Sequence, residues 1–70
     1  MSADNYHYVG KVGNGRFGLW TNCCASIDGP PQGKPRETFA TAEEAILAAH
    51  RYEREQWTEY GVTLGAGVLP

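Results

Sequence analysis

No run of about twenty apolar residues occurs anywhere in the sequence, so no membrane-crossing helix is expected. The opening residues, Met1-Ser2-Ala3-Asp4-Asn5, have neither a basic start nor an apolar stretch, so no secretory leader is expected either. Cysteine is scarce. Cys23 and Cys24 are the only two, and they are adjacent. A disulfide scaffold needs cysteines far apart in the chain, so that class is excluded, and a pair of thiols points to a reducing, cytoplasmic setting. A basic excess is also lacking. Residues 1–40 carry Lys11, Arg16, Lys34 and Arg36 against Asp4, Asp28 and Glu37, while residues 41–60 carry Glu43, Glu44, Glu53, Glu55 and Glu59 against Arg51 and Arg54. With no basic stripe, nucleic acid is not an expected partner.

What is present is globular: 41% hydrophobic and 20% charged residues in a chain of 70. Such a chain buries only about 60% of its unfolded surface. It has room for one domain, expected over residues 1–70 with 1–5 and 65–70 as flexible ends. Tyr6 to Val12 and Arg16 to Ala25 read as two strands around Gly13-Asn14-Gly15. Asn-Gly accepts positive φ at both centres of a tight hairpin turn. With Asn14-Gly15 as a two-residue loop, Val12 faces Phe17, Tyr8 faces Thr21 and Tyr6 faces Cys23. Tyr6, Tyr8, Val12, Phe17 and Leu19 then form the core face. His7, Val9, Lys11, Trp20, Asn22 and Cys24 form the other. A one-residue slip reverses these assignments.

Ser26 to Pro35 reads as a proline-rich loop and Arg36 to Ala40 as a short edge strand. Thr41-Ala42-Glu43-Glu44 fits a capping box that opens a helix from Ala42 to about Glu59. Ala42, Ala45, Ile46, Ala49, Tyr52, Gln56, Trp57 and Tyr60 recur at helical spacing and make one apolar stripe. Glu53 falls inside that stripe: either the stripe turns outward there, or Glu53 is paired with Arg16, Arg36 or a tyrosine hydroxyl. Gly61 is placed to end the helix, and Val62-Thr63-Leu64 reads as a last short strand. The expected fold class is α+β: a small antiparallel sheet in the order β-β-(β)-α-β, with one amphipathic helix packed on one face.

Several motifs have chemical counterparts. Gly13 to Gly18 matches G-x-G-x-x-G, but a dinucleotide site needs a helix after the loop, and a kinase loop needs a lysine, a base and metal ligands in a second lobe. The glycines are read as hairpin chemistry. Residues 29–34 fall one residue short of a phosphate-binding loop, and Pro35 stands where a Ser or Thr is needed. Neighbouring cysteines on a strand point to opposite faces, so no metal or other cofactor is expected at Cys23 and Cys24. His50 and Glu53 lie one helical turn apart, but no nucleophile is linked to them by any local pattern, so no catalytic residue is assigned.

Two resemblances follow from these residues. The tyrosine-rich first strand, the Gly turn, the second strand and Phe39-Ala40-Thr41-Ala42-Glu43-Glu44-Ala45 opening a helix resemble, over about residues 6–64, HicB-type antitoxin domains. That resemblance implies a β-β-β-α-β partial RNase H-like fold and a regulatory homodimer built through the sheet. The same hairpin, the Thr-Ala-Glu-Glu-Ala helix start and Thr58-Glu59-Tyr60-Gly61-Val62 are similar to small bacteriophage and prophage accessory proteins, among them anti-CRISPR and other anti-defence inhibitors. The expectation is a non-enzymatic module that binds and occludes a host protein or protein complex in the cytoplasm. Its expected contacts are His7, Val9, Lys11 and Trp20 on the open sheet face, with Glu55 and Glu59 on the acidic helix face second.

Overall fold

The computed structural model describes residues 5–24, 31 and 33–69. The loop expected over 26–35, the end of the second strand at Ala25 and the outermost termini lie wholly or largely outside the described residues. The elements are β1 (Asn5–Val12), β2 (Arg16–Cys24), β3 (Glu37–Phe39), α1 (Ala42–Glu55) and β4 (Val62–Leu64). They form one four-stranded sheet in the order β3-β2-β1-β4, with α1 across one face, an α+β fold. β2 is antiparallel to both β1 and β3. β4 runs parallel to β1, so the sheet is mixed: the helix carries the chain over the sheet from one edge to the other.

The hairpin register corrects the expected one. Asn14 (φ 63°) and Gly15 (φ 70°) take the left-handed conformation that the turn requires. The ladder, however, begins at Val12↔Arg16, so three residues are looped out instead of two. The slip puts Val9 opposite Leu19, and both are fully buried beneath Ala45 and Ala49 of the helix, with Val68 completing the core. His7 and Val9 therefore lie under the helix and not on an open face. Tyr6, Tyr8 and Val12 move to the other side of β1. Trp20 is also on that far side, half-buried. Its indole N–H donates to Gly33 O (3.2 Å), and its ring meets Tyr8 edge-on at 5.6 Å. Gly18 is required here: a Cβ would sit 2.9 Å from Pro35 Cβ and 3.0 Å from both Trp20 and Val12. Lys11 is exposed and runs alongside Gly67.

Further along, the register changes. Between Tyr8↔Trp20 and Tyr6↔Cys23, Thr21 and Asn22 together oppose the single residue His7. This is a β-bulge, with Asn22 at φ 54°.

Helix α1 starts where the sequence indicates. Thr41 caps it, its hydroxyl accepting the Glu44 N–H at 3.2 Å and donating to the Glu44 carboxylate at 3.3 Å. Thr41→Ala is expected to cost about 1 kcal/mol, read as a lower urea midpoint at unchanged slope. The alanines Ala45 and Ala49 let the helix sit close on the sheet, and Ile46 and Tyr52 flank them. Gly65 N–H bonds Val9 O at 2.7 Å, and Val68 turns back into the core.

Candidate functional site

The helix ends at Glu55, one turn earlier than its apolar stripe implies. Gln56 leaves the helix (φ −132°, ψ 80°) while its N–H still bonds Tyr52 O. The cause is a buried polar cluster between the helix end and the bulge. The His7 ring is fully buried. The bulge turns the Asn22 N–H onto His7 Nδ1 (3.2 Å). That makes Nδ1 an acceptor and places the ring hydrogen on Nε2, 3.1 Å from Gln56 O and 3.4 Å from a Glu53 carboxylate oxygen. Glu53 also accepts the Thr58 N–H (3.1 Å) and the Thr58 hydroxyl (2.6 Å). Thr58 is itself buried. A hydroxyl has one proton, and this short contact takes it in preference to Gly61 O at 3.2 Å. Burial alone would raise the Glu53 pKa. The Thr58 hydrogen bonds, with His7 and His50 nearby, outweigh it and hold the carboxyl below its ordinary value.

The cluster fixes the loop over residues 56–61. Glu59 N–H donates to the Asn5 side chain (3.2 Å) and Tyr60 N–H to Asn5 O (3.1 Å). His7 N–H donates to Gly61 O (2.9 Å), where φ is +67°. The Gln56 amide oxygen accepts from Asn22 Nδ2 (3.0 Å). With its backbone held this way, the loop buries Thr58 and leaves Trp57 72% and Tyr60 56% exposed. The helical stripe counted both aromatics as core. They are outside because the helix stops before reaching them.

The remaining expected site residues are dispersed. Glu55 lines a groove of about 240 Å³ between β3 and α1, together with Glu37, Phe39, Ala48, Arg51 and Tyr52. Glu59 lies beyond the helix in the 56–61 loop, so the two glutamates do not share a helix face. In the groove, the Tyr52 hydroxyl donates to Glu37 (2.9 Å) and accepts from Arg36 Nε (3.2 Å), whose guanidinium carbon sits 4.9 Å above the Tyr52 ring. These groups mostly satisfy one another. Cys23 is half-buried, and burial raises its thiol pKa. Cys24 is exposed, and neither cysteine is in a disulfide. Among the described residues no helix is long and apolar enough to cross a membrane.

Glu53 carried a sequence signal, a charge inside an apolar stripe. Its partners proved to be Thr58 and His7 instead of an arginine or a tyrosine. The 56–61 loop had no such signal, because Trp57 and Tyr60 fit the helical period. No protein-family model matches the chain, and comparison with curated proteins and with solved structures gave no match.

Proposed function

We propose that this chain is a small non-enzymatic protein-binding module that acts by covering a partner's surface, with Trp57 and Tyr60 as its anchors. The observation that carries this reading is Trp57, 72% exposed on a loop whose following three backbone N–H groups, at Thr58, Glu59 and Tyr60, are all held by hydrogen bonds. Tryptophan and tyrosine dominate the energetics of protein interfaces. A loop already fixed loses little conformational freedom on binding, so more of the contact energy appears as affinity. The surface replaces the His7–Val9–Trp20 face expected from the pattern, since His7 and Val9 are sealed beneath the helix. Burial of His7 also argues against acid–base catalysis by the His7–Glu53 pair, because no substrate atom can reach the ring.

The test is affinity capture from a host lysate with the wild type and with Trp57→Ala, followed by direct titration of the captured protein. Loss of an anchor of this kind is expected to weaken binding by about 30-fold or more, the equivalent of roughly 2 kcal/mol. The urea midpoint should stay unchanged, because the indole is mostly in solvent. Equal affinity of the wild type and of a Trp57→Ala/Tyr60→Ala double variant for the same partner would remove this surface from consideration.

A further inference from the structure

We propose that Asn14–Gly15, at the tip of the β1–β2 hairpin, is a self-modification site at which the Gly15 backbone nitrogen attacks the Asn14 carboxamide. The N–Cγ bond forms and the Cγ–Nδ2 bond breaks. Ammonia leaves with the Gly15 amide proton, giving a five-membered succinimide. Water then opens either imide carbonyl, to aspartate or to isoaspartate. Water is the only co-reactant, and nothing is oxidised or reduced.

Four observations support the site. The nucleophile is available: Gly15 N–H has no acceptor among the described residues. It is unshielded: a Cβ at Gly15 would meet nothing within 4 Å. The electrophile is available: Asn14 is exposed, and its carboxamide has no hydrogen-bond partner among the described residues. Finally, the turn is lightly held above the Val12↔Arg16 pair. Asn14 and Gly15 both sit at positive φ, a conformation that asparagine adopts at some cost, and the bond within the turn, Arg16 N–H to Gly13 O, is a long 3.3 Å. Opening matters because the left-handed turn does not itself aim Gly15 N at Cγ.

The protein contains its own controls. Asn22 is also left-handed (φ 54°), but its side chain donates to Gln56, and Cys23 follows it. The Asn5 side chain accepts from Glu59, and Tyr6 follows it. A left-handed φ alone therefore does not select the site. The added carboxylate makes the net charge one unit more negative. The isoaspartate product also routes the main chain through Cβ, lengthening a three-residue loop by one carbon. The tip lies at the opposite end of β1 from the 56–61 loop, about 23 Å away at 3.3 Å per strand residue, so binding through Trp57 is unaffected.

The experiment holds the folded chain at mildly alkaline pH beside a free peptide of residues 12–17. Both are followed by intact mass, peptide mapping and isoaspartyl methyltransferase labelling. The expected result is a gain matching OH for NH2 at Asn14, with Asn5 and Asn22 intact. Its rate should be measurable but slower than the peptide's, because the folded turn must open before Gly15 N can reach the carboxamide carbon. Asn14→Gly, which suits the positive φ, should fold and lose the labelling. An Asn14 that stays intact in the folded chain while the peptide converts overturns the proposal, as does equal modification at Asn22.

Discussion

Glu53→Ala is expected to lower the stability of the fold by about 2–4 kcal/mol, seen as a large drop in the urea midpoint. The size follows from what is left behind. Thr58 is buried, and its N–H and hydroxyl both point at the Glu53 carboxylate. Without it the N–H loses its acceptor, the hydroxyl falls back on the weaker contact to Gly61 O, and His7 Nε2 keeps only Gln56 O. An unpaired buried polar group costs about 1–3 kcal/mol, and more when the lost bond was charge-assisted. The side chain is 22% exposed, so water replaces part of the loss and limits the total. Glu53→Gln should fall between the wild type and alanine. It keeps one acceptor, but its NH2 confronts either the Thr58 N–H or the His7 N–H.

The same carboxyl sets an acid dependence with a definite sign. Its pKa is lower in the folded protein than in the unfolded chain, where glutamate titrates near about 4.3. The unfolded chain therefore takes up the proton first as pH falls. The contribution of Glu53 is complete above the unfolded value and is lost as pH falls through the folded one. Urea titrations at neutral and at acid pH should show a smaller loss in Glu53→Gln than in the wild type. An equal acid loss in both would mean that Glu53 is not the group responsible.

Leu19→Ala is expected to cost about 3 kcal/mol, within the usual 2–5 for a buried leucine. For a chain of 70 residues the whole stability is roughly 3.5–10 kcal/mol. The variant should thus lose from about a third to most of its stability, read as a much lower urea and thermal midpoint. The cost is high because the neighbours cannot close the gap. Leu19 packs among Val9, Ala45, Ala49 and Val68, and the two alanines have no side-chain length to move inward. Val9→Thr tests the register in the same region. It should be clearly destabilising with Val9 opposite Leu19 under the helix, and nearly neutral if Val9 lay on an open face.

Local chemistry made several elements legible. Asn14-Gly15 announced the hairpin, Thr41 and Glu44 the helix start, the alanine stripe the face that meets the sheet, and Val62–Leu64 the last strand. The pairing was not legible. Whether two or three residues loop out at Gly13 to Gly15 is decided by burying Val9 against Leu19 and the helix alanines, contacts far away in the sequence. His7 read as a surface residue because the two-residue loop placed it with Lys11, Trp20 and Asn22 on the less apolar face. It is buried because Asn22, Gln56 and Glu53 satisfy it, and the Asn22 contact exists only once the bulge has formed. The helix end followed the same logic. Gly61 was the visible stop signal, but the Glu53–Thr58 bonds end the helix first. The aromatics that carry the proposed function were misplaced by that one turn.

The parallel pairing of β4 with β1 also sets the order of events as the chain folds. The β1–β2 hairpin closes over three residues, and α1 forms from local bonds and its own cap. β4 must instead find β1 across roughly 55 residues, as in His7↔Val62. Such a closure is opposed by chain entropy before any contact rewards it, so β4 docks late. Until it docks, β1 presents an unpaired edge that can template pairing with a second chain. The interval between hairpin formation and β4 docking is the period of greatest aggregation risk.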